Sequence, residues 1–206
     1  MIKKFIKPAV VACVMTLMAG CATQTTYVDP AQDKTVVMGL DYKDFNSAAK
    51  QAVTGIAKSP LMVHPQMAQG ARYVISVSPI VNDTTQRIDT DQLTKKMRSE
   101  LLKTGRFITT TAVTANGPED AMTEKVRKLS SSKLINQATV KKNGTVIAPD
   151  FNLTGKIIQR NNKVDRNTQQ VDYYFQLTLT NLEKGLAYYE DSIQIIKRGS
   201  NKSVSW

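Results

Sequence analysis

Few side chains in this 206-residue sequence could do covalent or acid–base chemistry, and their spacing limits each of them. The single histidine, His64, lies between Val63 and Pro65 in a segment read as a loop. A nucleophilic hydroxyl or thiol needs a base beside it, and a lone histidine with no acidic or cysteine neighbour reads as structural. S-S-S-K at 130–133 puts Ser130 and Lys133 at S-x-x-K spacing. The S-D-N sequence that accompanies that acyl-transfer pair does not occur, so the match reads as chance. Glu190 and Asp191 are neighbouring carboxylates in a strand-like run. Successive strand side chains point to opposite faces, so the two cannot flank one glycosidic bond. Neither a G-x-S-x-G elbow, nor a glycine-rich phosphate loop, nor a His/Cys cluster at metal-ligand spacing occurs. The expectation is a protein that is not an enzyme and carries no cofactor and no metal.

The two cysteines belong to other business. Residues 1–20 open with Lys3, Lys4 and Lys7, continue as an apolar run from Pro8 to Met18 broken only by Thr16, and end in Ala19 and Gly20 before Cys21. A membrane-spanning helix needs roughly 20 apolar residues, so this run is too short to remain as one and reads as a cleaved signal peptide. Cys13 is lost with it, and Cys21 becomes the lipid-bearing N-terminus. Several acyl chains anchor durably, because each buried methylene contributes about 0.8 kcal/mol. Ala22 follows the cysteine, and by similarity to bacterial lipoproteins generally the missing Asp favours the outer membrane, facing the periplasm. Stability then rests on core packing, with no cysteine left for a disulfide.

The net charge is +11. Losing three of the 28 basic residues with the signal leaves 25 against 17 acidic ones, or +8. Such a balance attracts anionic lipid, acidic wall polymer (peptidoglycan included) or an acidic patch on a partner. Nucleic acid is not expected for an exported chain without a recognition motif. Residues 118–142 concentrate Lys125, Arg127, Lys128, Lys133, Lys141 and Lys142. Lys125, Arg127, Lys128 and Lys133 are the candidate partner-binding residues, with a merely solvated basic face as the other reading.

The elements that must position these residues follow from periodicity. Residues 21–36 comprise Cys21 and a polar tether without an apolar period, whose stretched length is roughly 50 Å and relaxed span roughly 20 Å. From Asp41, apolar Phe45, Ala48, Ala49, Ala52, Val53 and Ile56 recur at spacings of three and four, predicting a helix that Pro60 stops. Residues 72–82 alternate as a strand, with Pro79 placing its second half at an edge or bulge. Asp89 or Thr90 caps a second helix, with Gln92 in near capping-box position, an apolar face of Leu93, Met97, Leu101 and Leu102, and Gly105 as its stop. A strand is expected over 106–114 and a helix from Pro118, with Glu119 and Asp120 in its first turn and a thin stripe of Met122, Val126 and Leu129. Two strands over 151–160 and 171–180 and a third after the turn at 182–185 complete an antiparallel meander. The chain therefore predicts one α+β domain over 37–199, its mixed sheet ending in that meander, helices packed on one face, and a frayed tail at 200–206.

Several blocks together resemble a known family. They are G-L-D-Y-K-D-F at 39–45, N-D-T-T-Q-R-I-D-T at 82–90, L-L-K-T-G-R-F at 101–107, A-P-D-F-N-L-T-G-K-I at 148–157 and Y-Y-F-Q-L-T-L-T-N-L-E-K-G-L at 173–186. In this order they are similar to the LpoB family, outer-membrane lipoproteins that activate a class A penicillin-binding protein and so stimulate peptidoglycan synthesis. The resemblance implies a domain like the N-terminal domain of TolB, a monomer, and a non-enzymatic role of docking on the synthase. It also marks Tyr189 as standing where relatives often carry Trp. An alternative compatible with the same TolB-like domain is a structural or assembly lipoprotein of an envelope or secretion complex.

Overall fold

The computed structural model describes residues 25–203, and the chain divides into two units, Met1–Val36 and Val37–Trp206. The signal sequence and Cys21 lie outside the described residues. Within the first unit, residues 25–36 are irregular apart from one turn, where Asp29 Oδ1 accepts from the Ala31 amide at 2.9 Å.

In the second unit, helix α1 (Tyr42–Lys58) starts from a reciprocal capping box. Asp41 Oδ1 accepts from the Lys43 amide at 2.8 Å and the Asp44 amide at 3.2 Å, and Asp44 Oδ2 accepts from the Asp41 amide at 2.9 Å. Three amide donors at the helix start are thereby satisfied. Its predicted stripe is buried from Ala48 to Ile56, and Phe45 meets Phe175 edge-on at 6.3 Å. Helix α2 (Thr90–Lys103) is capped by Asp89 and buries Leu93, Met97 and Leu101. Gln92 does not close a capping box there. Leu102, one residue round from Leu101, is 50% exposed and leaves the expected apolar face.

The sheet runs in the order β3-β1-β4-β5-β6, with β2 also pairing β4. Strands β1 (Tyr73–Val77), β2 (Val81–Asp83) and β3 (Phe107–Thr109) are short; β4 (Phe151–Lys163), β5 (Thr168–Asn181) and β6 (Leu186–Ser200) are long. β1 lies parallel to β3 and β4, and β4, β5 and β6 are antiparallel. This is an α+β fold with a mixed sheet. The run expected as one strand over 72–82 is broken at 78–80, where Pro79 has no amide to donate, and only the short β2 resumes pairing. The strand expected over 106–114 stops at Thr109: after Thr110 donates its amide to Ile75 O, its hydroxyl turns back to accept from Ala112 N. Helix α3 (Met122–Lys128) starts four residues after Pro118 and buries none of its residues, because no element packs over the thin stripe. The β4–β5 turn is tighter than expected, with Asp165 Oδ1 accepting from the amides of Asn167 at 2.7 Å and Thr168 at 2.8 Å.

Phe151, Leu153 and Ile157 of β4, Tyr173, Phe175, Leu177 and Leu179 of β5, and Ile193 of β6 share the buried face and meet α1 and α2. Gly55 lets α1 approach this face: a Cβ there would lie 2.0 Å from Tyr189 Oη. Among the described residues β6 pairs on one side only, with β5. Its pairing shifts between Leu179 and Thr180, so that Leu179 faces Tyr189, Thr180 faces Ala187, and Tyr188 is an extra residue.

The segment entering α1 is held by buried polar side chains from distant parts of the chain. Tyr173 Oη donates to Met38 O at 3.0 Å and accepts from Gln86 Nε2 at 2.5 Å, while Gln86 Oε1 accepts from the Leu40 amide at 2.9 Å. Lys197 Nζ donates to Gly39 O at 2.6 Å and to Asp44 Oδ2 at 2.5 Å. Gln86 is 5% and Lys197 8% exposed. Burial holds the Asp44 carboxyl above its ordinary value, and the hydrogen bond from Lys197 offsets only part of that rise.

Two outcomes follow from this packing. Lys197→Met strands the half-buried Asp44 carboxylate and should lower unfolding free energy by about 1–3 kcal/mol, whereas Lys156→Met, which breaks an exposed 2.6 Å pair with Asp83, should cost about 1 kcal/mol or less; urea midpoints measure both. Burial pushes the phenols of Tyr173 and Tyr189 up to about 12. Each stays protonated in the folded chain where its unfolded counterpart, near 10, ionises. The resulting stability is full below pH ~10 and lost as pH rises towards ~12. Urea midpoints against pH should fall across that window, and less steeply in Tyr189→Phe.

Candidate partner-binding surface

Between β3 and β4 the chain leaves the sheet for some forty residues, and this excursion carries the basic candidates. It is tied to the body where Arg98 of α2 pairs with Glu119, and it closes on itself where the Glu119 amide donates to Thr111 O at 2.9 Å. Asp120 Oδ1 accepts from the Met122 amide at 2.9 Å and so starts α3. Seven residues of helix cannot be held by backbone propensity alone, and side chains complete the hold. The Arg127 guanidinium donates to Thr123 O and, at 3.1 Å, to Thr145 Oγ1, bracing the helix against the irregular returning segment of the excursion.

The four candidates therefore differ in what they offer. Lys125 and Lys133 are exposed and make no ion pair among the described residues. Lys128 is exposed but paired with Glu124 at 2.7 Å, a hydrogen bond that holds the Glu124 carboxyl below its ordinary range. Arg127 is half-buried and serves as the brace. Lys141 and Lys142 add exposed charge further along. Met122 of the expected stripe is exposed, and the sequence did not signal the other apolar side chains interleaved with the basic ones: Leu134 is 94% and Ile147 71% exposed, with Ile135 and Val146 also uncovered. They follow neither a helical nor a strand period, which is why pattern reading passes over them. The surface is thus basic and apolar together, the composition of a contact face with a charged rim.

The residues weighed for catalysis stay apart. His64 Nδ1 accepts from the Gln66 amide at 3.0 Å, and its ring lies 4.7 Å from that of Tyr73. Ser130 falls in a one-turn 3-10 segment directly after α3. Besides the S-x-x-K pair, the sequence holds a K-T-G tripeptide at 103–105, and the structure spends it on ending α2: Lys103 pairs with Glu100 at 2.8 Å, Thr104 Oγ1 donates to Leu101 O at 2.6 Å, and Gly105 takes φ +65°. Glu190 accepts from Thr178 Oγ1 at 3.2 Å, while Asp191 accepts from Tyr189 Oη at 2.8 Å. Among the described residues no group of three or more His, Cys, Asp or Glu side chains could hold a metal ion, and no helix is long and apolar enough to cross a membrane.

Comparison with known proteins bears on the whole folded unit. A search of curated proteins gave no match. Among solved structures, the LpoB C-terminal domain from Escherichia coli is 12% identical at a TM-score of 0.40, covering 74% of this chain and 98% of that one. The corresponding domain from Salmonella enterica is 13% identical with the same TM-score and coverage. The NMR structure of E. coli LpoB is 11% identical at a TM-score of 0.42, covering 97% of this chain and 81% of that one. A family model described as peptidoglycan-synthase activator LpoB matches residues 44–195, from the first turn of α1 into β6. That span takes in the core, the clamp residues Asp44, Gln86 and Tyr173, and the whole basic excursion. On this match, the chain belongs to the LpoB family of peptidoglycan-synthase activators.

Proposed function

We propose that the chain is an outer-membrane lipoprotein, anchored through Cys21 and facing the periplasm, that binds a class A penicillin-binding protein and stimulates its peptidoglycan synthesis without catalysing a step itself. The observation that carries this reading is the family match across residues 44–195. The basic, apolar excursion supports it by offering a surface for an acidic, partly apolar patch on the synthase. The protein works as a monomer and uses no cofactor. Binding stimulates only by favouring an active conformation over an inactive one, and a tenfold stimulation requires about 1.4 kcal/mol of difference between the two affinities.

The test adds the purified chain to lipid II with and without the class A synthases of its own organism. Faster glycan polymerisation and cross-linking is expected with one of them, and no stimulation of any would sink the reading. A rise in higher-order oligomers without stimulation would instead favour an assembly role. The proposed contact includes the exposed charges of Lys125 and Lys133, unpaired among the described residues. Lys125→Glu combined with Lys133→Glu should slow association and raise the concentration for half-maximal stimulation by about tenfold, an effect that shrinks with added salt. Arg127→Ala, which removes a brace, should act instead by loosening 122–128, seen as faster amide exchange there.

A further inference from the structure

At the end of the sheet where β1 and β4 begin and β5 ends, a recess of about 500 Å³ opens between Tyr73, Asp150, Phe151, Asn181, Glu183 and Tyr188. Its size falls in the range of roughly 300–1,000 Å³ typical of small-molecule sites. The floor is aromatic: Phe151 meets Tyr73 at 4.9 Å and Tyr188 at 5.2 Å, both edge to face. Tyr188 reaches that floor because it is the extra residue where the β5–β6 register slips; its neighbours Ala187 and Tyr189 hold the paired positions. A bulge that redirects one side chain into a recess is a recurring feature beside binding sites.

Polar groups around the floor are half committed and half open. Asp150 Oδ2 accepts from the Val74 amide at 2.7 Å, which fixes the carboxylate and leaves its other oxygen without a partner among the described residues. Asn181 Oδ1 accepts from the Lys184 amide at 2.9 Å, leaving its amide protons available. The hydroxyls of Tyr73 and Tyr188 make no hydrogen bond within the described chain. Burial, then Tyr188 and then Asp150 raise the Tyr73 phenol, which keeps it a neutral donor. Glu183 and Lys184 stand at the rim.

This lining suits a neutral ligand rich in hydroxyls. It mixes donors (Asn181, both phenols, Lys184) with acceptors (Asp150, Glu183, both phenols), as groups that donate and accept at once require. The aromatic floor offers an apolar partner to C–H bonds. Two carboxylates against one lysine disfavour an anion. We propose that the recess is a carbohydrate-binding site that takes a short neutral glycan. It uses none of Lys125, Arg127, Lys128 or Lys133 and stands independently of the synthase contact.

Nuclear magnetic resonance titration of the full chain in detergent micelles tests this, with a β-1,4-linked N-acetylglucosamine tetramer and with maltotetraose. Saturable shifts confined to Tyr73, Asp150, Asn181 and Tyr188 are expected with at least one of them. Tyr188→Phe and Glu183→Gln should each weaken that binding by about threefold to tenfold, the effect of one lost hydrogen bond, with the thermal midpoint unchanged. The proposal is overturned if neither glycan shifts these residues, if both substitutions leave the affinity as it was, or if lysine methyl ester shifts the same residues while the glycans do not.

Discussion

A buried lysine and a buried tyrosine hold the first residues of the folded unit to its last strands. Tyr173 packs its ring in the core, and both it and Lys197 extend polar tips to the entering segment, at Met38 for the phenol and at Gly39 and Asp44 for the ammonium. A buried ion pair adds little net stability over an apolar substitute but exacts a large penalty if half of it is removed. Its effect is therefore one of specification. The capping box that starts α1 forms around the same Asp44 that receives Lys197, so the start of the helix and the register of β6 are fixed together. With α1 set in that way, Gly55 comes against Tyr189, and the sheet face closes under Ala48, Ala52 and Ile56.

What could be read from the sequence was what depends on local period. The stripe from Phe45 to Ile56, the alternation of Tyr173, Phe175, Leu177 and Leu179, and the stop at Gly105 each lie within one element, and each stands in the structure. The clamp could not be read, because its partners are 46, 135 and 153 residues apart and nothing about Lys197 in a mixed, charged strand marks it as buried. Strand lengths beyond Thr109 failed for a related reason. A β-branched run is compatible with a strand, but the last β1–β3 pair is Ile75 with Thr109, and the chain then turns away at Thr110 although β1 continues to Val77.

Site legibility divides the same way. Basic residues are visible in any sequence, so Lys125 and Lys133 could be named at once; that Arg127 is committed to Thr123 and Thr145 depends on how the excursion folds back. The aromatic recess was hidden because Tyr73, Phe151 and Tyr188 each read as ordinary strand residues. They meet only because β1 and β4 run parallel, β5 runs back, and one slipped register turns Tyr188 towards them.

The strand at one end of the sheet, β6, runs fifteen residues with one side unpaired among the described residues. Copies crowded side by side would present such a ladder to one another, and open edges invite zipping into ribbons. Here the strand carries Lys197 pointing inward, a register slip near its start, and the adjacent charges Glu190 and Asp191. Lateral growth would have to flatten the slip and disturb a lysine that the domain needs in place. The residue that secures the fold also discourages it from polymerising.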